Sequence, residues 1–326
     1  MSATAATSEL RERLVHQGKE VAEVMNDVVR ETREKGKAWW QRGRLRLFKF
    51  EDVPRYLQDN NYIRSGYRAN YTYLENWISL VHFHNESGNV WTHGAAFIAF
   101  VSMIFIAFFG DIHPNAAFSD RVVFALFLFS GSLTFMFSTL FHLHLCHSEK
   151  AYIAFGCLDY SGISALICGS AAAVTYYTFY CHSKYSTFWL ILLIFVNLLG
   201  VFGPLFKAWA TAAFRKWRAF LYVMSGVLSG APMLHYLMEN GTSALPPADK
   251  YFAMPGVAAM AGFYLMGVVV YVARFPERLA PGRFDYVLHS HQIWHLFVVA
   301  AAFTHSRAIL AFMAWRLDQD TCPAVM

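Results

Sequence analysis

Seven stretches of about twenty apolar residues, at roughly 90–110, 122–145, 158–180, 187–206, 217–238, 254–273 and 288–313, constrain this 326-residue chain more than any other feature. Each is close to the ~20 residues a helix needs to cross a hydrocarbon layer of ~30 Å. No water is available there to satisfy backbone N–H and C=O groups, so each stretch must be a helix. The period-two alternation of a transmembrane barrel is absent. Only 15% of the residues are charged, against about a quarter in soluble globular chains. The expected fold is therefore an all-α membrane protein, a seven-helix bundle over 90–313. A polar, basic region precedes it at 1–50, a lead-in follows at 51–89, and a short tail closes the chain at 314–326.

Charge sets the expected orientation. Fourteen Lys and Arg precede the first stretch, from Arg11 to Arg68. If that region is cytosolic and sides alternate along the chain, 22 of the 27 basic residues fall on the cytosolic side. Arg121, Lys184, Lys250, Arg307 and Arg316 fall on the other. Positive residues concentrate on the cytoplasmic side, so the amino terminus is expected inside and the carboxyl terminus outside, opposite to a G-protein-coupled receptor. No signal peptide is visible, and the first fifty polar residues are expected to stay where they are made.

None of the five cysteines forms a CxxC pair. Cys146 and Cys157 fall on the reducing side, whereas Cys181 and Cys322 fall outside and could pair; sequence does not fix their distance. Residues 1–36 carry a loosely helical apolar spacing, which suits a peripheral helix or one that binds a partner. Trp39 and Trp40 lie among basic residues in 37–50, a pattern suited to an anionic inner leaflet. A nucleic-acid partner is not expected for a stretch tethered to a membrane protein. Pro232 predicts a kink in the fifth stretch.

The chemistry lies in the polar residues at the ends of these stretches. His291 and His295 are four apart at the start of the last one, so they share one helix face one turn apart. His142 lies near the end of the second, and Asp159 in the expected first turn of the third. All fall on the cytosolic side at matched depth. Ser138 sits one turn deeper than His142 on the same face. A single intramembrane histidine is usually a satisfied interhelical hydrogen bond. Several at one depth are a functional candidate. Three imidazoles plus a water make the open tetrahedral arrangement of catalytic zinc, although imidazole also suits copper, iron or nickel. Asp159 suits a role beside the metal-bound water or orienting a ligand, and Ser138 could share its hydrogen bonding. His93 is a reserve ligand. His144 and His147 point away from His142 and are expected to be headgroup or interfacial residues. His289 points away as well, and His235 and His305 are too far.

These residues occur in segments that resemble the progestin and adipoQ receptor family, which includes adiponectin receptors, fungal relatives tied to zinc and lipid homeostasis, and bacterial hemolysin III-like proteins. The segments are Gly66-Tyr67-Arg68, Asn85-Glu86-Ser87-Gly88-Asn89-Val90-Trp91-Thr92-His93, Ser138 to His142 with Cys146-His147-Ser148, Leu158-Asp159-Tyr160-Ser161-Gly162, and Ser290-His291-Gln292-Ile293-Trp294-His295. The likeness runs from about 50 to 310 and is strongest to adiponectin-receptor-like and fungal members. It implies zinc held by His142, His291 and His295, with Asp159 near the metal-bound water. It also implies a cavity open toward lipid and, for adiponectin-receptor-like members, ceramide hydrolysis.

The expected function is thus a zinc-dependent intramembrane amide hydrolase acting on a sphingolipid such as ceramide, linked to signalling. Its partners would be the bilayer, the lipid substrate and an extracellular protein ligand that the sequence leaves open. The alternatives are a receptor whose zinc is structural and a zinc-homeostasis regulator or transporter. A transporter needs polar groups along the whole path, and the outer half offers few. A retinal protein is excluded by the missing lysine in the seventh stretch. Plasma membrane and endoplasmic reticulum both fit.

Overall fold

The structure is a computed structural model. It describes residues 45–206, 209 and 214–319, with residues 12, 15, 16, 18–28 and 30 of the amino-terminal region. Among these residues the only strand-like feature is one bridge between Phe48 and Tyr67. The α-helices that matter here are α1 (Tyr73–Ile78), α2 (Ser87–Phe109), α3 (Phe118–His144), α4 (Glu149–Thr178), α5 (Ser183–Phe202), α6 (Arg215–Leu228), α7 (Ala231–Asn240), α8 (Ala253–Ala273) and α9 (Ser290–Leu317). Seven spans are long and apolar enough to cross a membrane, with parts of α6 and α7 counting together as Phe220–Asn240. The chain is an integral, multi-pass membrane protein.

Two of the boundaries have local chemical causes. α4 starts at Glu149, nine residues before the apolar stretch begins, because Ser148 caps it: its side chain accepts from the Ala151 N–H at 3.2 Å. Such a cap satisfies an otherwise orphaned amide. Asp159 consequently sits in the third turn of α4, not in its first turn as the apolar stretch alone suggests. The fifth span breaks between Leu228 and Ala231. Pro232 lacks an N–H and its ring collides with the carbonyl four residues back, which is that of Leu228. The expected kink is therefore a break between two helices.

The spans are unequally buried. In the most apolar 18 residues of each span, 56% of α3 and 50% of α9 lie inside the protein, against 17% of α5, 17% of the fifth span and 11% of α8. The inner helices meet through Phe100, Phe127, Phe135, Ile309 and Phe312, all fully buried. Lipid is as apolar as these side chains, so small residues and close backbone approach, rather than hydrophobic burial, favour contact between helices. At Gly162 an added Cβ would stand 2.9 Å from the Thr134 Cα. Thr134 Oγ1 also donates to the Gly162 carbonyl at 2.8 Å. This contact sets the spacing of α3 and α4.

One end of the bundle is overlaid by the segment before α2. Its anchor is Arg68, which is 2% exposed. Its guanidinium donates to the carbonyls of His142 at 2.6 Å and Leu143 at 3.1 Å, and to Ser79 Oγ at 2.7 Å. A cation is thus placed on the orphan carbonyls at the α3 carboxyl terminus, where the helix dipole favours it. The connection from α8 to α9 is tied to the same segment. Asp285 accepts from Arg64 N–H at 2.8 Å and Ser65 Oγ at 2.6 Å. Glu277 accepts from Asn60 at 3.0 Å and from the Ser290 N–H at 2.8 Å, the first residue of α9. Val24 and Val28 pack on this end, against the cluster of Tyr73, Ala151 and Phe155.

Candidate metal centre

Each histidine reaches the site because of where its helix ends. α3 carries His142 in its last turn, and α9 carries His291 and His295 in its first two. α3 and α9 pack side by side with these ends together. One ligating atom from each of His142, His291 and His295 lies within 4.8 Å of the others, so the group could hold a metal ion. The ring centroids form a nearly equilateral triangle of 4.9, 4.8 and 4.9 Å. His142 and His295 are buried and His291 is partly so.

The partners of these rings decide which nitrogen faces the cluster. His142 Nδ1 lies 2.8 Å from Glu86 Oε2. His295 Nδ1 lies 3.3 Å from the Asn89 carbonyl and 3.4 Å from Thr92 Oγ1, whose own hydrogen goes to the Gly88 carbonyl at 2.7 Å. All of these are acceptors, so the proton of each neutral ring is assigned to Nδ1 and the lone pair to Nε2. His142 Nε2 is buried and has no hydrogen-bond partner. A buried polar nitrogen without a partner is costly, and a cation at the centre of the triangle would satisfy it. This donor set fits a metal of the zinc class: three imidazole nitrogens, two held from behind, and none of the free cysteines Cys146, Cys157 or Cys168 among them.

Asp159 of α4 lies in the electrostatic field of His142, with Ser138 of α3 one turn from His142. Tyr271 of α8 closes another side, its ring 5.3 Å from that of His291. His93 stacks on His295 with centroids 3.7 Å apart, and its two nitrogens have no hydrogen-bond partner. It lies outside the three-ligand group.

Other expected positions differ. His144 is packed inside the protein: it is 2% exposed, contacts Asn76 at 3.3 Å and packs against Tyr73, Trp77 and Phe155. The cause is α1, which folds over this end of α3. His147 stacks on Tyr73, and its Nδ1 is 2.8 Å from the Tyr71 carbonyl. His289 is buried against the Asn85 carbonyl at 3.0 Å. Cys181 is disulfide-bonded; Cys322 and the paired tryptophans Trp39 and Trp40 lie outside the described residues.

Glu86, Asn89, Thr92 and Arg68 fall within segments that carry the family resemblance, but sequence reasoning gave them no role at the site, though all stand behind the histidines. Glu86 immediately precedes α2 and is partly buried. Burial raises its carboxyl affinity for a proton. The hydrogen bond and charge of His142, together with His289 and Asn89, outweigh that and hold it well below the usual carboxylate range. Its position before an apolar run signals only an acid at a helix amino terminus.

Comparisons with known proteins identify relatives of the chain. Residues 81–306 match the family model described as haemolysin-III related. The chain is 34% identical over 285 residues to heptahelical transmembrane protein 1 of Arabidopsis thaliana, covering 84% of this chain and 83% of the relative. It is 34% identical to progestin and adipoQ receptor-like protein 1 of Caenorhabditis elegans, covering 86% of this chain and 64% of the relative. It is 31% identical to the adiponectin receptor protein of Drosophila melanogaster, covering 84% and 61% respectively. The matched region thus spans less than two thirds of the worm and fly relatives.

Proposed function

The chain belongs to the haemolysin-III related family of seven-helix membrane proteins, and from that premise we propose that it is a zinc-dependent intramembrane amide hydrolase acting on a ceramide-type lipid. The observation that carries this reading is the convergence of three imidazole donor atoms within 4.8 Å, in apolar helices. A soluble substrate has little use for such a site; a lipid amide enters from the side.

His142, His291 and His295 would hold the zinc. When bound, zinc supplies a Lewis acid for the amide carbonyl and brings the pKa of its water toward ~7. Asp159 would accept the proton that the attacking water gives up and return it to the nitrogen of the leaving amine. Fatty acid and sphingoid base are then the products. Ser138 would orient the carboxylate, and the rings of Phe141 and Tyr271, which pack on His142 and His291, would provide wall.

The test is fatty-acid release from ceramide in detergent, with Asp159→Asn beside the wild type. The expected result is turnover in the wild type and a fall of 100-fold or more, on the order expected for losing a general base, with zinc retained. Zinc present with no turnover of any ceramide would contradict the hydrolase reading. It would favour a second one, a receptor in which zinc ties α3 to α9; the relatives named as receptors support that alternative. The positive-residue distribution supports an orientation with the amino terminus cytosolic.

A further inference from the structure

Resting on the three-histidine centre, we propose that Glu86 is a positioning residue that fixes the tautomer of His142 and strengthens it as a metal donor. Glu86 occupies the cap position of α2, where an acidic side chain ordinarily turns back on its own first amides. Its side chain makes no such bond. It reaches across to α3 instead and meets His142 Nδ1 at 2.8 Å, while Asn89 Nδ2 donates to the same oxygen at 2.6 Å and steadies it. Arg68 grips the other side of the residue through the His142 carbonyl at 2.6 Å. His142 is thus held by its ring and its backbone, with Nε2 alone left over.

The same part of α2 serves the next ligand. Asn89 and Thr92 follow Glu86 at intervals of three, so the three residues share one face, and the latter two meet His295 Nδ1. A carboxylate is the strongest of these acceptors. Hydrogen-bonded to Nδ1–H, it prevents the ring from placing its proton toward the metal, raises the basicity of Nε2, and offsets part of the charge of a dication bound by three neutral ligands. His291 shows no comparable hydrogen bond among the described residues. The centre is therefore asymmetric, with His142 its strongest donor.

The test is metal affinity, read by competition against a chelator for zinc and by the visible absorption of the cobalt-substituted protein. Wild type, Glu86→Gln, Glu86→Ala and His142→Ala are compared. The near-isosteric Glu86→Gln is expected to keep one metal per chain at saturation with affinity weakened about 10- to 100-fold and a shifted cobalt spectrum. Glu86→Ala should weaken it at least as much. The rise in melting temperature on adding zinc, measured for each variant, gives a second reading that separates weak binding from poor folding. A Glu86→Gln protein with wild-type affinity and cobalt spectrum overturns the proposal, even if its metal-free form melts earlier, because that is the signature of a merely structural contact. A wild type that takes up no metal overturns the metal centre as well, so the two failures are distinguishable.

Discussion

The two ends of the bundle handle buried polar groups in different ways. At the end formed by the start of α3 and the carboxyl termini of α2, α4 and α9, the buried charged groups Arg316 and Asp120 are paired within the protein. Arg316 donates to the carbonyls of Tyr177 at 2.7 Å and Thr178 at 2.9 Å and to the Tyr236 hydroxyl at 3.2 Å, closing the end of α4. Asp120 accepts from the Ala117 N–H at 3.0 Å and the Tyr177 hydroxyl at 3.3 Å. These belong, with Arg121 on the carbonyls of Ala107 and Gly110 at the far end of α2, to one side of the membrane-spanning bundle. At the histidine end Arg68 likewise holds backbone in place through its terminal nitrogens, yet His142 Nε2 and both nitrogens of His93 are left without partners. Pairing within the chain marks a group that serves the fold. A rigidly supported group with its donor atom unpaired marks one that serves a ligand.

The largest expected effects come from the two arginines, and they should differ in kind. Arg316→Ala and Arg68→Ala each leave buried carbonyls unsatisfied and should each cost about 3 kcal/mol of stability. Melting and metal content measured together separate them. Arg316→Ala should retain metal, whereas Arg68→Ala should lose affinity as well, because the His142 backbone is released. Equal metal retention in both would erase the distinction between the ends.

A smaller effect is expected at the contact that sets α3 against α4. Gly162→Ala places a methyl against the Thr134 backbone, at a cost of about 1–3 kcal/mol. Asp159 and Ser138 lie one turn away on the same two helices, so ceramide turnover should fall more than metal affinity. A variant that loses metal but keeps its Asp159-dependent chemistry would contradict this geometry.

The smallest effect is one of pH. His84 is buried beside Arg68, and burial first, then that charge, push its pKa down to about 3. Its Nδ1 also accepts from the Glu86 N–H at 3.1 Å, which requires the neutral ring. Below about pH 6.5 the unfolded chain binds this proton while the folded one does not, so stability is lost as pH falls. Over the unit from pH 7 to pH 6 the loss from this group should be below about 1 kcal/mol. Comparing the melting of His84→Asn with wild type across that interval checks it: the variant should lack this part of the slope.

The seven spans and the convergence of His142, His291 and His295 were legible because both follow from local rules: the length of an apolar run, and the side on which each run ends. What stands behind the histidines was not. Glu86 is far from His142 in sequence and lies outside any apolar run, so only tertiary packing joins them. His144 illustrates the reverse limit. Its angle on α3 correctly pointed it away from His142, but a helical wheel cannot say that α1 will cover that face. The early start of α4 was obscured by Glu149 and Lys150, which end an apolar window even where Ser148 caps a helix.

The most direct measurement is the metal content of the detergent-purified protein, wild type beside His142→Ala and His291→Ala, with Arg316→Ala as the control from the opposite end. The account predicts about one zinc per wild-type chain, retained in Arg316→Ala and lost in both histidine variants. A well-folded wild type without metal, or histidine variants that keep it, would contradict it and leave the three rings as contacts between helices.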